Sequence, residues 1–196
     1  ESTSEEAAYI AEIKVPQLEN NDQAQSLNAA IREQIEAHAI AMKQQAADEY
    51  QAFIETGGKA EEYIPARISI NYQLYCNNDQ TLSFAIISTY VRAQSSQTVD
   101  CYNVEAGTGR TLTLEALAGE DYAERIAREI QRQIDAKPEA EQAVYDEDLD
   151  LKSMIGPDRP FHLDPDGNLI VEFEKYEIAA GAAGPQSFTL DLESLN

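Results

Sequence analysis

The chain has 196 residues, 14 lysine and arginine side chains against 36 aspartates and glutamates, and a formal net charge of -22. A chain of this length buries roughly 70% of the surface its unfolded form exposes, so it can build a core without disulfides or metal. The acidic field repels phosphate and attracts cations and basic proteins, which argues against nucleic acid as a partner.

Tyr9 to Val15 opens the chain as a strand: Tyr9, Ala11, Ile13 and Val15 alternate with the opposite face, and Pro16 ends the run. Asn20, Asn21 and Asp22 then offer capping side chains for a long helix. Leu27, Ile31, Ile35, His38, Met42, Ala46, Glu49 or Tyr50, and Phe53 recur at steps of three or four, and Gly57-Gly58 closes the helix. Ile68, Ile70, Tyr72 and Leu74 alternate in a second strand and are expected to cover one side of a sheet. Leu82 to Val91 is apolar on both faces, as in a central strand. Thr98 to Val104 adds another strand, and Gly107 and Gly109 turn the chain into Thr111 to Leu114.

A second helix is expected from Asp121 to Ala136, with Tyr122, Ile126, Ile130 and Ile134 spaced by four and Pro138 beyond its end. Pro138 to Asp150 reads as an acidic loop with a helical turn or two. The last third holds Phe161 to Leu163, a Pro165-Asp166-Gly167-Asn168 turn, Leu169 to Glu174, a glycine-rich crossover and a closing strand from Ser187 to Leu192. The fold class is therefore α+β, antiparallel sheets packed by two main helices. Each half has strands and one helix, with a soft boundary at residues 93–97 dividing residues 1–95 from 96–196, the two closely packed.

The chemistry-bearing residues give no catalytic, cofactor or metal motif. His38 lies in the helical stripe and reads as a packing histidine, while alternation places His162 away from Phe161 and Leu163 as an exposed strand residue. On an assumed meander, Cys76 and Cys101 stand about 25 Å apart at about 3.3 Å per residue, so two free thiols are expected. Neither has a neighbouring histidine or basic cluster to make a thiolate. Asp146, Asp148 and Asp150, and Asp164, Asp166 and Asn168, repeat at every second residue. Leu151 and Pro157, then Leu169 and Tyr176, occupy the positions where a calcium loop needs glycine and glutamate. The first set reads as a solvated loop and the second as a hairpin turn. Gly181 to Pro185 lacks the lysine and spacing of a phosphate loop.

No run reaches the roughly 18 apolar residues needed to cross a bilayer. Residue 1 is Glu, so an N-terminal piece is expected to have been removed: a signal peptide, a lipoprotein leader, a transmembrane anchor or a trimmed tail.

Tyr102-Asn103-Val104, Gly109-Arg110-Thr111-Leu112-Thr113-Leu114, and Phe173 followed by Tyr176-Glu177-Ile178-Ala179 and Gly184 carry a resemblance. Over residues 98–192 the chain is similar to the extracytoplasmic domain of the RsiV family of anti-sigma factors, and to the same module beside peptidoglycan deacetylases. The resemblance implies an α+β domain outside the cytoplasm, in the cell envelope, that is noncatalytic and senses a protein. In the anti-sigma factors that protein is lysozyme, which is basic. The alternative is an accessory domain, on a wall-modifying enzyme or a lipoprotein, that binds cell-wall peptidoglycan. A third, direct hydrolysis of wall material, requires a pair of carboxylates that no motif selects. Tyr176, Glu177, Gly181, Gly184 and Pro185 are the candidate partner-contact positions, with a structural role for the first four as the competing reading.

Overall fold

The computed structural model describes residues 1–19 and 22–195. It is an α+β fold with a five-stranded sheet in the order β1 (Ser2–Glu5), β2 (Tyr9–Ile13), β3 (Ala66–Asn77), β4 (Thr81–Val91) and β5 (Ser95–Glu105). A three-stranded sheet follows, with β6 (Phe161–Leu163), β7 (Leu169–Phe173) and β8 (Gln186–Leu190) in chain order. Two long helices are present, α1 (Ala24–Glu55) and α3 (Tyr122–Asp135). Short ones are α2 (Leu114–Ala118), α4 (Glu139–Gln142), α5 (Leu151–Met154) and α6 (Leu192–Leu195).

The chain divides into two compact units that interleave along the sequence. One comprises Glu1–Leu74, Ala85–Asp100 and Gly107–Gly109, the other Tyr75–Phe84, Cys101–Ala106 and Arg110–Asn196. The boundary read at residues 93–97 spans the turn between β4 and the start of β5.

In the first unit, β2 pairs antiparallel with β1 and parallel with β3, α1 making the crossover. Ala46 of α1 is buried among Ala8, Tyr9, Ala11, Ala66, Ile68 and Tyr90, small residues letting the helix approach the strands closely. Asn28 fastens the start of α1 by accepting from the Leu18 N–H at 2.7 Å and donating to the Leu18 carbonyl at 2.8 Å. Of the proposed caps, Asn20 and Asn21 lie outside the described residues. Asp22 does not cap: Gln23 takes the N-cap position without a side-chain cap. At the other end Gly57 adopts φ +92°, the left-handed closure that glycine favours.

Tyr72 and Leu74 do not cover the sheet as their alternation suggests. Pairing with β2 stops at Ile70, and residues 71–74 are all exposed, Tyr72 at 46% and Leu74 at 53%. Pro16 follows shortly after β2, so the strand that would flank this part of β3 does not continue.

In the second unit, Ile126, Ala127, Ile130 and Ile134 form the buried stripe of α3, set against Leu163, Leu169, Val171, Phe173, Phe188 and Leu190. The helix runs within one residue of its expected bounds at each end. The β6–β7 turn is held by the Asp164 carboxylate, which accepts from the N–H groups of Asp166 (3.0 Å) and Asn168 (2.9 Å) and from the Asn168 side chain (2.9 Å). Gly167 supplies the φ of +85° that this turn requires. Burial alone would raise the Asp164 carboxyl, but these bonds outweigh it and hold it below the usual range. Its lone pairs are spent on the turn.

Candidate functional site

Three clusters of polar side chains stand out, and the first contains Tyr176 and Glu177, two of the positions named from the sequence. Glu174 to Glu177 form a turn in which the Glu177 N–H donates to the Glu174 carbonyl at 3.1 Å. The Glu177 carboxylate accepts from the Glu174 N–H at 2.7 Å. Tyr176 takes the third position of this turn with φ +73°, a conformation normally left to glycine or asparagine. A non-glycine residue there costs about 1–3 kcal/mol, so the remaining contacts must over-determine it.

Those contacts are visible. The Tyr176 ring lies over Gly181 so closely that a Cβ on Gly181 would collide with its Cε1 and Cζ atoms. Lys175 Nζ sits 4.9 Å from the ring centroid. Despite this seat, Tyr176 is 71% exposed.

Beside it opens a cleft of about 680 Å³ bounded by residues 153–154, 156–160 and 174–177. Arg159 stands in its wall, pairs with Glu177 and donates to the carbonyls of Met154 (2.9 Å) and Glu172 (3.3 Å). Its guanidinium lies 4.7 Å from the centroid of the buried Phe173 ring. Burial alone would raise the Glu177 carboxyl; the Arg159 and Glu174 hydrogen bonds and the Arg159 charge reverse this and keep it below the usual range. Arg159 and Glu177 therefore form a fixed wall, and Tyr176 is the projecting group.

Of the named positions, Tyr176 and Glu177 line the cleft and Gly181 packs beneath Tyr176. Gly184 does not line the cleft; at φ +74° it ends the short 3-10 turn Gly181–Ala183. Pro185 contributes a carbonyl that accepts from the Gln186 side chain at 3.2 Å. Arg159, Met154 and Lys175 were not singled out from the sequence. A lone Arg between Asp158 and Pro160 carries no periodic signal.

The second cluster corrects the reading of His162. It is buried, only 8% exposed, and stacks on Tyr75 with centroids 3.7 Å apart and planes at 14°. Alternation does turn it away from Phe161 and Leu163, but Tyr75 covers that face as well. Its Nδ1 is 3.5 Å from Glu172 Oε1 and makes no hydrogen bond among the described residues. Burial pushes His162 below its ordinary value, partly offset by Asp164, and raises the Glu172 carboxyl. Burial, then Glu172 and Cys101, push the Tyr75 phenol up to about 12. Burial and Asp164 raise Cys76, so it is no ready thiolate. Cys76 and Cys101 do not form a disulfide.

A pH dependence follows from His162. The unfolded chain protonates this imidazole near its ordinary value of about 6.5, whereas the folded protein resists until a lower pH. Between these points the unfolded state holds the extra proton, so folding stability falls as pH drops below about 6.5 and levels off below the folded value. Glu172, raised, acts in the opposite sense, its contribution being lost as pH rises above about 4.5. Urea unfolding at pH 7.5 and 5.5 is expected to show a loss of stability at the lower pH that is smaller in His162→Phe, which keeps a ring on Tyr75. An equal loss in both proteins contradicts the assignment.

The third cluster joins α1 to β4 and β5. His38 Nδ1 lies 3.0 Å from the buried Ser88 Oγ and 3.6 Å from Asp100 Oδ2. These are the residue types of a hydrolytic triad, but both partners approach the same ring nitrogen. A triad places the nucleophile on one nitrogen and the acid on the other, so that the imidazole relays a proton between them. This arrangement ties a helix to two strands. Burial raises the Asp100 carboxyl against the opposing pull of His38 and Gln34.

Among the described residues no group of three or more histidine, cysteine or acidic side chains is placed to hold a metal, and Asp150 is engaged as the cap of α5, accepting from the Ser153 N–H at 3.2 Å. Likewise no described helix is long and apolar enough to cross a membrane.

No curated protein sequence matches the chain. Among solved structures, one from Bacteroides fragilis, titled a member of the DUF3298 family, aligns with 84% of this chain at 16% identity and a TM-score of 0.53. This chain spans 66% of that protein's length, just under two thirds, and the likeness is one of fold. A DUF3298 family protein from Pseudomonas aeruginosa aligns with 76% of this chain and 67% of its own length at 13% identity and a TM-score of 0.45. The segment containing α3, the three-stranded sheet and the Tyr176 cleft, residues 116–193, matches the model of a family described as a protein of unknown function, DUF3298.

Proposed function

We propose that this chain is a noncatalytic extracytoplasmic binding domain, similar in role to the sensing domain of RsiV-type anti-sigma factors, that recognises a basic protein such as lysozyme through the Tyr176 cleft. The observation that carries this reading is Tyr176: 71% exposed, at φ +73°, where the turn would be relaxed by glycine. An aromatic residue held at such a cost while projecting beside a cleft is better suited to contacting a partner than to supporting the fold. The net charge of -22 favours a basic partner and accelerates encounter in a salt-sensitive way. The shared-nitrogen geometry at His38 and the unpartnered Nδ1 of His162 supply no nucleophile-base pair, which supports a noncatalytic role.

The test uses Tyr176→Gly, which removes the ring and suits the backbone. Its stability is expected to stay within about 1 kcal/mol of the parent, while lysozyme affinity measured by calorimetry at low salt falls at least about tenfold, the worth of one interfacial aromatic. Unchanged affinity in the folded variant rejects the cleft as the contact surface. Failure of the parent to bind any of several lysozymes rejects the lysozyme reading itself.

The exposed ring also suits stacking on a sugar, which favours a second reading, an accessory domain for cell-wall glycan. That reading predicts a peptidoglycan pull-down that persists in salt and is lost in Tyr176→Gly.

A further inference from the structure

On its β2 side, β3 is paired only as far as Ile70. Ala66 donates to the Ala8 carbonyl at 2.9 Å and Ile70 accepts from the Lys14 N–H at 2.8 Å, so the even-numbered residues of β3 turn their backbone groups toward β2. Tyr72 and Leu74 keep that direction by the alternation of a strand, and no described strand lies beside them there. The Tyr72 N–H, which a longer β2 would have engaged, donates instead to its neighbour Asn71 Oδ1 at 2.9 Å. Both side chains stand about half exposed on one face, whereas Cys76 is buried, so the open edge ends at Leu74. Open edges are ordinarily guarded by charge, proline or shortness. β1, the outer strand on that side, is guarded in this way, being four residues long with Glu5 at its end. The open edge of β3 is not: although 26% of the chain is charged, Ile68 to Asn78 hold neither a charged residue nor a proline.

From the unpaired Tyr72–Leu74 edge, its exposed apolar face and its lack of charge, we infer that a second copy of this chain docks here, edge to edge and antiparallel about a twofold axis at Gln73. In that register Tyr72 exchanges both backbone bonds with the partner's Leu74, and Leu74 does so with the partner's Tyr72. The aromatic and aliphatic side chains then cover one another as cross-strand pairs on one face. Neighbouring registers fail: an axis at Tyr72 calls on Ile70, already engaged by Lys14, and an axis at Leu74 calls on the buried Cys76. Charge selects the occupant. A basic protein is drawn to carboxylates, which this edge lacks, while two copies that each carry -22 can meet only where the surface is neutral. The open stretch is about 13 Å long at about 3.3 Å per residue, so the interface is small and the dimer weak, with a dissociation constant on the order of 0.1–1 mM. This surface is independent of the Tyr176 cleft.

The experiment is sedimentation equilibrium of the whole chain from about 0.02 to about 1 mM, spanning the expected dissociation constant. A reversible monomer–dimer equilibrium is expected, and it should strengthen with salt from about 10 to about 100 mM as the screening length shortens from about 30 to about 10 Å. Leu74→Lys and Tyr72→Lys place a guard on the open edge at exposed positions, and each is expected to weaken the dimer at least about tenfold. Gln73→Cys reads the register: the axis sets the two residues opposite one another in a pair with Cα atoms about 4.5 Å apart, within disulfide reach. Mild oxidation is therefore expected to link this variant into a dimer on a nonreducing gel, while the parent, with Cys76 and Cys101, stays a single chain. A parent that remains monomeric at about 1 mM overturns the proposal, as does a dimer indifferent to both lysine variants or one that Gln73→Cys fails to link. A monomeric parent whose lysozyme affinity falls in Leu74→Lys would assign the edge to that partner and overturn the dimer. Dimer formation leaves the reading of the Tyr176 cleft untouched, because that reading is tested at Tyr176 and weakens with salt where the dimer strengthens.

Discussion

Phe173→Ala is expected to destabilise the protein by about 3–5 kcal/mol, the range for truncating a buried phenylalanine. Phe173 is 1% exposed, the largest of the fully buried side chains, and meets the edge of Phe188 with centroids 6.0 Å apart and planes at 86°. It closes the end of β7 nearest the Tyr176 turn, and its ring carries Arg159, which holds Glu177. The truncation therefore opens a cavity in the core and removes the support of the cleft wall together. Urea unfolding followed by circular dichroism measures the first effect, and partner affinity at a urea-free, fully folded temperature measures the second. Phe173→Leu retains most of the volume but not the ring face beneath the guanidinium, so it should cost less than about 1.5 kcal/mol while still weakening the cleft. A Phe173→Ala loss below about 1 kcal/mol would mean that neighbouring side chains collapse into the space, contrary to the packing described.

The long helices and the β6–β7 hairpin were legible because their signals are local. Steps of three or four across residues 27–53 and 122–134 coincide with the buried faces of α1 and α3, and the Asp164 to Asn168 turn carries its own hydrogen-bonding side chains. β1 was not legible: Ser2 to Glu5 pair with β2 through the backbone and leave mostly exposed polar side chains, so no apolar alternation marks them. The short helix α2 carries a local signal of its own. Thr113 caps it by accepting from the Ala116 N–H at 3.1 Å, and Gly119 follows at φ +80°, a start and a stop around Leu-Glu-Ala-Leu-Ala.

Burial at the histidines depended on distant partners. Nothing near Phe161-His162-Leu163 announces Tyr75, which lies in a strand read from another part of the sequence. For Tyr72 and Leu74 the alternation was real, but its cover depended on how far β2 continues. The positive φ of Tyr176 was also invisible, because a tyrosine gives no warning of a glycine-like backbone; only the room made by Gly181, five residues after Tyr176, hinted at a ring packed over the crossover.

Asn103→Leu is expected to cost about 2–6 kcal/mol, more than most polar substitutions, because it strands two buried partners at about 1–3 kcal/mol each. Asn103 Oδ1 accepts from Ser83 Oγ at 2.7 Å, and its Nδ2 donates to the Phe161 carbonyl at 2.9 Å. Ser83 Oγ in turn accepts from the Leu163 N–H at 3.0 Å, so two side chains satisfy both backbone groups that β6 presents to them. Ser83 is fully buried and Asn103 is 4% exposed, leaving no route for water to replace a lost bond. β6 is only three residues long, so these bonds fix its register as much as its pairing with β7 does. Ser83→Ala alone should cost about 1–3 kcal/mol by exposing the same weakness from the other side. Because both substitutions break the Ser83–Asn103 bond, the double variant should lose less than the sum of the singles, with a coupling of about 0.5–3 kcal/mol. Strict additivity in urea unfolding would show that the two side chains act separately, and β6 would then owe its placement to the apolar packing of Phe161 and Leu163 alone.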